Sequence, residues 1–286
     1  MMLALSASFP TPCSPRFRST HHCGLRPALN PRSLSKRCRA GSFSAEERLS
    51  QVANLISLED KLDLAFNTPE GGKASEIWDL VSEIPERDRA KLLDRLGPKE
   101  IINLWKISAA RHTSSEMKTG RASFHSLWDD FPEEPGQVYR YDGIAALPAF
   151  NFLGLNRFQK AYFLEPESDD LYGRVLLNRG PPGDSLYPGY FKANIDISTV
   201  NPTGELADMT LEYLPREKLG LRDEDVPVAG WPKPKDPLYP FSGGLVDYLR
   251  PIGPGVYAGV GWKAPRPEKN DMGRRFLFFV MARVVD

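Results

Sequence analysis

The sequence predicts an α+β chain in which a small bundle or arm of short helices precedes an antiparallel β-barrel. Three observations predict it. Apolar residues recur at helical spacing between residues 44 and 111, the pattern then changes to period two, and turn signals divide the rest into eight short strand-like runs with no helix between them. A parallel sheet needs a long crossover between strands, so consecutive strands joined by turns pair antiparallel, as a meander or barrel.

Residues 1–45 contain no Asp or Glu but seven basic residues, Arg16, Arg18, Arg26, Arg32, Lys36, Arg37 and Arg39, with Ser and Thr between them. An Arg- and Ser-rich, acid-poor segment has the composition of an organellar leader, and it cannot bury enough apolar surface to fold. Pro10, Pro12, Pro15, Pro27 and Pro31 oppose the amphipathic helix of a mitochondrial leader. Residues 1–40 are therefore read as a chloroplast transit peptide, cleaved near Cys38–Ala40, in preference to a mitochondrial leader or the basic arm of a cytosolic protein. No second apolar stretch follows, so the stroma is expected rather than the lumen. Protein purified from plastids is expected to begin between residues 38 and 46; N-terminal sequencing that finds Met1 intact would sink this reading.

Removing the leader changes the chemistry that remains. The 37 basic and 37 acidic residues of the whole chain balance. Without the leader's bases the chain is acidic, which gives no general attraction to nucleic acid. Cys13, Cys23 and Cys38 all leave with it. The remainder then holds no disulfide, thiol nucleophile or Cys-based metal site. Only His112 and His125 persist, and no H-x-x-x-H or H-x-D spacing exists. No metal and no cofactor is expected. No apolar run approaches the roughly 18 residues of a membrane span, although peripheral thylakoid association is compatible with the sequence.

The helical region is 44–111. Ser44 and Glu47 form a capping box, followed by Leu49, Val52 and Ile56 at helical spacing. Ser57 and Asp60 open a second helix with Leu62 and Leu64, ending at Asn67–Gly72. Ile77, Trp78, Val81 and Ile84 mark a third. Pro85 starts a fourth with Leu92, Leu93 and Leu96, and Gly97-Pro98 stops it. A last short helix carries Ile101, Ile102, Leu104 and Trp105. Residues 112–136 read as a linker that docks Trp128 and Phe131.

The barrel region is 137–286. Strands are expected near 137–141, 157–165, 171–178, 189–198, 208–214, 243–250, 254–262 and 274–285. Phe191, Ala193, Ile195 and Ile197 alternate with Lys192, Asn194 and Asp196. The last strand is apolar on both faces, so it is expected to be covered outside by the helices or by an oligomer partner. Residues 214–241 hold six prolines and no strand pattern, which suggests a lid, a binding loop or a partner surface.

Several words in this half carry a resemblance. They are Gly154 to Phe158, Tyr172-Gly-Arg-Val-Leu-Leu-Asn178, Leu211-Glu-Tyr213, Leu245-Val-Asp-Tyr-Leu-Arg250, the glycines Gly259 and Gly261, and the pair Phe278-Phe279. Residues 150–285 resemble the small lipocalin-like proteins named for a G-x-W-x-G motif, in which a D-x-F-R stretch leads into a Gly-rich strand and a final Phe-rich strand. Gly154-Leu-Asn156 stands where that family has G-x-W. The resemblance implies a lipocalin-like barrel with an internal cavity and no agreed catalytic residues.

Motifs for chemistry are sparse. Gly259-Val-Gly-Trp-Lys-Ala264 spells a dinucleotide fingerprint, but prolines follow where a helix must start. Gly71-Gly-Lys73 lacks the rest of a P-loop. No G-x-S-x-G exists, and the two His lie in the linker. The residues chosen as a ligand site are Tyr213, Tyr248, Arg250 and Trp262 on the strands, and Trp231 in the Pro-rich loop. An Arg on the inner wall would mark a carboxylate or phosphate head group, with aromatics around an apolar body. The alternatives are outward-facing strand residues, or Arg250 paired to Asp247.

The expected function is that of a stromal binding or accessory protein. It would hold a small apolar ligand or dock on a photosynthetic or biosynthetic complex. One alternative is a barrel-type isomerase or cyclase acting on a plastid lipid, pigment or terpenoid, since such chemistry needs little beyond a shaped cavity. The other is a structural assembly factor whose barrel is filled by its own side chains.

Overall fold

Ser44 starts the first helix as its spacing with Glu47 requires. The Ser44 backbone N–H donates to Glu47 Oε2 at 2.7 Å, and the Glu47 N–H donates to Ser44 Oγ at 3.2 Å. The computed structural model describes residues 43–57, 72–113, 127–146, 156–168, 170–176, 189–238, 241–264 and 273–285. The helix expected from Asp60 through Leu64, His125 and the whole leader lie outside the described residues.

Helix α1 (Ala45–Ser57) buries Leu49, Val52 and Ile56. Helix α2 (Gly72–Glu83) buries Ile77 and Val81, while Trp78 stays half-buried. Pro85 precedes α3 (Glu86–Arg89), which tightens into a 3₁₀ turn at Ala90–Arg95 and buries Leu92 and Leu93. Pro98 then opens α4 (Pro98–Thr113), where a missing N–H costs nothing. The helix expected to be short is 16 residues long and passes through His112. Nothing breaks it, because Lys106, Ala109 and Ala110 are good helix formers.

Eight strands follow: β1 (Tyr139–Ala145), β2 (Arg157–Leu164), β3 (Leu171–Leu176), β4 (Tyr190–Ile195), β5 (Met209–Tyr213), β6 (Leu245–Gly253), β7 (Val256–Lys263) and β8 (Arg274–Val284). Each pairs antiparallel with the next, and β8 closes on β1. The expected antiparallel barrel is therefore present, of the up-and-down kind that leaves no free edge. Two strands run well past their expected ends. Strand β1 runs on to Ala145 because closure pairs it with both β2 and β8. Strand β6 continues to Gly253 through Pro251, which is tolerated at a register shift between Pro251 and Gly253. The alternation in β4 stops at Ile195. Ile197, expected on the same face, sits in the following turn and is 66 % exposed.

The apolar residues form two main layers. Phe131, Tyr162, Phe191, Leu211, Leu249 and Phe279 are among those that fill the barrel interior. Ile144, Ile252, Val256, Ala258, Val280 and Ala282, on the outer face of β1, β6, β7 and β8, pack against the helices. Strand β8 is thus apolar on both faces because the helical layer covers it. Residues Ser42–Asp286 form one compact unit.

One end of the barrel is closed by a 3₁₀ turn at Leu127–Asp130 and by Phe131, which packs on the rings of Tyr141, Tyr162 and Tyr257. Tyr141 Oη donates to the Asp130 carbonyl and Tyr257 Oη donates to Asp130 Oδ2, both at 2.6 Å. Phe131 docks as expected, whereas Trp128 is 51 % exposed.

The connection from β5 to β6 lies at the other end. It contains a helical turn α5 (Arg216–Leu219) and a 3₁₀ turn at Asp223–Asp225. Its first part folds back along the outer wall, where Leu219, Leu221 and Trp231 cover Phe163, Tyr172 and Tyr190. Tyr172 Oη donates to the Leu219 carbonyl at 3.0 Å and Tyr190 Oη to the Pro232 carbonyl at 2.7 Å. Its last part returns to the mouth, where Phe241 stacks on Tyr213 with ring centroids 4.4 Å apart.

Candidate functional site

Strand alternation places two charged residues inside the barrel. On β2, Phe158, Lys160, Tyr162 and Leu164 share the inner face; on β6, Leu245, Asp247 and Leu249 do. Lys160 Nζ donates to Asp247 Oδ2 at 2.6 Å, and Tyr213 Oη donates to the same oxygen at 3.1 Å. Lys160 is 2 % exposed and Asp247 is 3 % exposed. Both lie near the mouth: Asp247 is the third residue of β6, and Tyr213 is the last of β5.

Aromatic rings surround the ammonium. Its Nζ lies 4.4 Å from the centroid of Phe279, 5.5 Å from Phe191, 5.8 Å from Phe158 and 5.9 Å from Tyr213. Each of the three Phe rings is seated on a cross-strand glycine: Phe158 on Gly143, Phe191 on Gly173 and Phe279 on Gly259. A Cβ at any of these glycines would lie 2.3 Å from the ring, so only Gly lets the ring lie flat on the backbone. Gly261 plays a related part, since a Cβ there would come within 2.8 Å of Asp247 Oδ1.

Burial pushes the Lys160 ammonium below its ordinary pKa, while the Asp247 carboxylate pulls the other way. Burial likewise holds the nearby Tyr162 phenol well above its usual range. The arrangement is a neutral ion pair in an aromatic shell. It presents a donor and a nucleophile-in-waiting on Lys160 and a proton acceptor on Asp247.

Of the residues chosen from sequence, Tyr213 alone faces this interior. Tyr248, Arg250 and Trp262 lie on the outer face, and Asp247 and Arg250, three residues apart, point to opposite sides of β6. Arg250 is therefore neither an inner-wall head-group site nor the partner of Asp247. Its guanidinium lies 3.8 Å from the centre of the Trp105 ring, under α4. Its Nε donates to the Leu206 carbonyl at 2.6 Å and its Nη1 to the Trp105 carbonyl at 2.8 Å. Burial draws its pKa down to about 10 against the opposing pull of Glu205 and Asp208. Tyr248 and Trp262 pack half-buried around Trp105 and Val260. Trp231 lies on the outer wall elsewhere, 6.1 Å from Phe163 and 5.1 Å from the Arg174 guanidinium.

Lys160 and Asp247 were missed by sequence reasoning, yet a signal existed. Alternation in RFQKAYFL and LVDYL sets each on the apolar face of its strand. Asp225 is held by Arg222 at 2.8 Å and Asp223 by Lys233 at 3.0 Å. Among the described residues no cluster of His, Cys, Asp or Glu could hold a metal ion, and no helix is long and apolar enough to cross a membrane. No protein family, curated protein or solved structure matches the chain.

Proposed function

We propose that this chain is a plastid lipocalin-like binding protein. It holds a small apolar ligand in the mouth half of the barrel, with Lys160, Asp247 and Tyr213 as the polar anchor. The observation that supports this is the ion pair itself. Taking a carboxylate and an ammonium out of water costs several kcal/mol per ion, and well-packed apolar residues of similar volume are often equal or better for stability. A barrel that needed only filling has no use for the pair. Charged groups held in an apolar enclosure concentrate at working sites. The composition of the leader supports the plastid address, and the stroma is the compartment proposed.

A second reading has its own support. The Phe rings seated on Gly143, Gly173 and Gly259 fill the interior with the chain's own side chains, as an assembly factor with no ligand would. The two readings part on one experiment. The protein is purified from plastids beside a Lys160→Met/Asp247→Leu variant, and organic extracts of both are analysed by mass spectrometry. A binding protein yields an apolar compound that the variant lacks. Identical, empty extracts from two folded proteins favour the assembly factor.

A further inference from the structure

We infer that the ligand is an apolar aldehyde or ketone, and that Lys160 holds it covalently as an imine with Asp247 as counter-ion. This rests on the reading of the barrel as a binding protein and names the ligand class.

Charge is the first argument. Lys160 and Asp247 sum to zero. A carboxylate or phosphate ligand would set a second anion beside Asp247 Oδ2 and leave the enclosure negative, at high cost in an apolar medium. A neutral carbonyl adds no charge. The second argument is the set of donors. Asp247 Oδ2 takes one proton of the ammonium, and the remaining surroundings of Nζ are the faces of Phe158, Phe191, Phe279 and Tyr213. An apolar body among those rings brings its one polar atom to Nζ.

The third argument is reactivity. Only the free amine attacks a carbonyl, and burial already disfavours the ammonium. The ammonium gives a proton to Asp247, and the amine lone pair forms a bond to the carbonyl carbon. The C=O π electrons move to oxygen, which takes up protons from nitrogen and from Asp247 and leaves as water when the C–O bond breaks. The nitrogen keeps one proton as an iminium, and Asp247 is again a carboxylate. The charge of the site is the same before and after, so the iminium inherits the contact that the ammonium had. Dry aromatic walls oppose its hydrolysis.

Access is through the mouth. Phe241, stacked on Tyr213, is followed after Ser242 by Gly243 and Gly244, with φ of 85° and 80°. Two residues in the left-handed region form a joint at which the Phe241 ring can swing clear.

The probe for the test is trans-cinnamaldehyde, given to the full chain with cyanoborohydride. Binding heat is recorded by calorimetry without reductant, and adducts are located by peptide mapping. The expected result is a Lys160 adduct, heavier by the aldehyde's mass less one oxygen, in large excess over the exposed Lys91 and Lys233. The Lys160→Arg variant should bind without an adduct, and Asp247→Asn should form it roughly 100-fold more slowly, as loss of a positioned acid–base group does. The peptide map of the parent protein decides the matter even if a variant fails to fold. Binding heat with no preference for Lys160 overturns the imine and leaves the binding reading standing. Neither heat nor adduct overturns both.

Discussion

Replacing Asp247 by Leu is expected to lower the free energy of unfolding by about 3–5 kcal/mol, because it strands the Lys160 ammonium in an aromatic enclosure. The partner of that ammonium is at 2.6 Å, and its other neighbours are ring faces. The Lys160→Met/Asp247→Leu double variant should recover most of that loss, since two apolar residues then fill the same space. Urea unfolding of the three proteins gives the coupling directly. If the double variant is as unstable as the single one, the pair is part of what holds the barrel together. The case for a functional role then loses its footing. If it recovers, the fold survives without the pair, and the variant becomes the blank against which ligand binding is judged.

The second large effect is expected at Trp105, which packs on the outer side of the barrel wall. Trp105 is 1 % exposed, carries the Arg250 guanidinium on its face, and donates from Nε1 to Glu205 at 3.2 Å. It joins α4 to the outer wall of the barrel and to the β4–β5 connection at once. Trp105→Ala should cost about 3–5 kcal/mol, the range for a buried Trp. It also leaves Arg250 without its ring. Trp128→Ala, at a ring that is half exposed, should change stability by no more than about 0.5 kcal/mol. Thermal unfolding followed by circular dichroism should show the helices and the barrel melting together in the parent. A Trp105→Ala protein as stable as the Trp128→Ala control would mean that the helices only rest on the barrel.

The architecture was legible because it depends on periodicity and turns. The change from period 3.6 to period two, the sequential strands, and the doubly apolar β8 all describe what each strand faces. The absence of crossovers left an open meander and a closed barrel both possible, and the closed barrel was what the resemblance implied. The site was less legible because facing is a matter of parity, and parity must be counted. Arg250 was chosen for its chemistry, but it stands three residues from Asp247, so one of them had to point outward. Ile252 and Tyr248, on the same side as Arg250, meet the helical layer and the Trp105 cluster. No composition could reveal that a helix lies over this side. Lys160 could have been found by the same count, because it lies between Phe158 and Tyr162 on one face. The glycines are the subtler case. Gly143, Gly173 and Gly259 look like interruptions in sequence. Each is in fact the seat of a ring on the neighbouring strand, a relation visible only once register is known. The Pro-rich loop is a related case: its described residues pack mostly against Phe163, Tyr172 and Tyr190 on the outer wall, with Phe241 at the mouth.

The most direct measurement of the central claim is a high-resolution crystal structure of the protein isolated from its native source, without ligand stripping. The account predicts additional density that begins at Lys160 Nζ and runs between the rings of Phe158, Phe191 and Phe279 toward the mouth, with Phe241 displaced from Tyr213. A barrel filled by its own side chains alone, with Phe241 stacked on Tyr213 and Lys160 bonded only to Asp247, would contradict it.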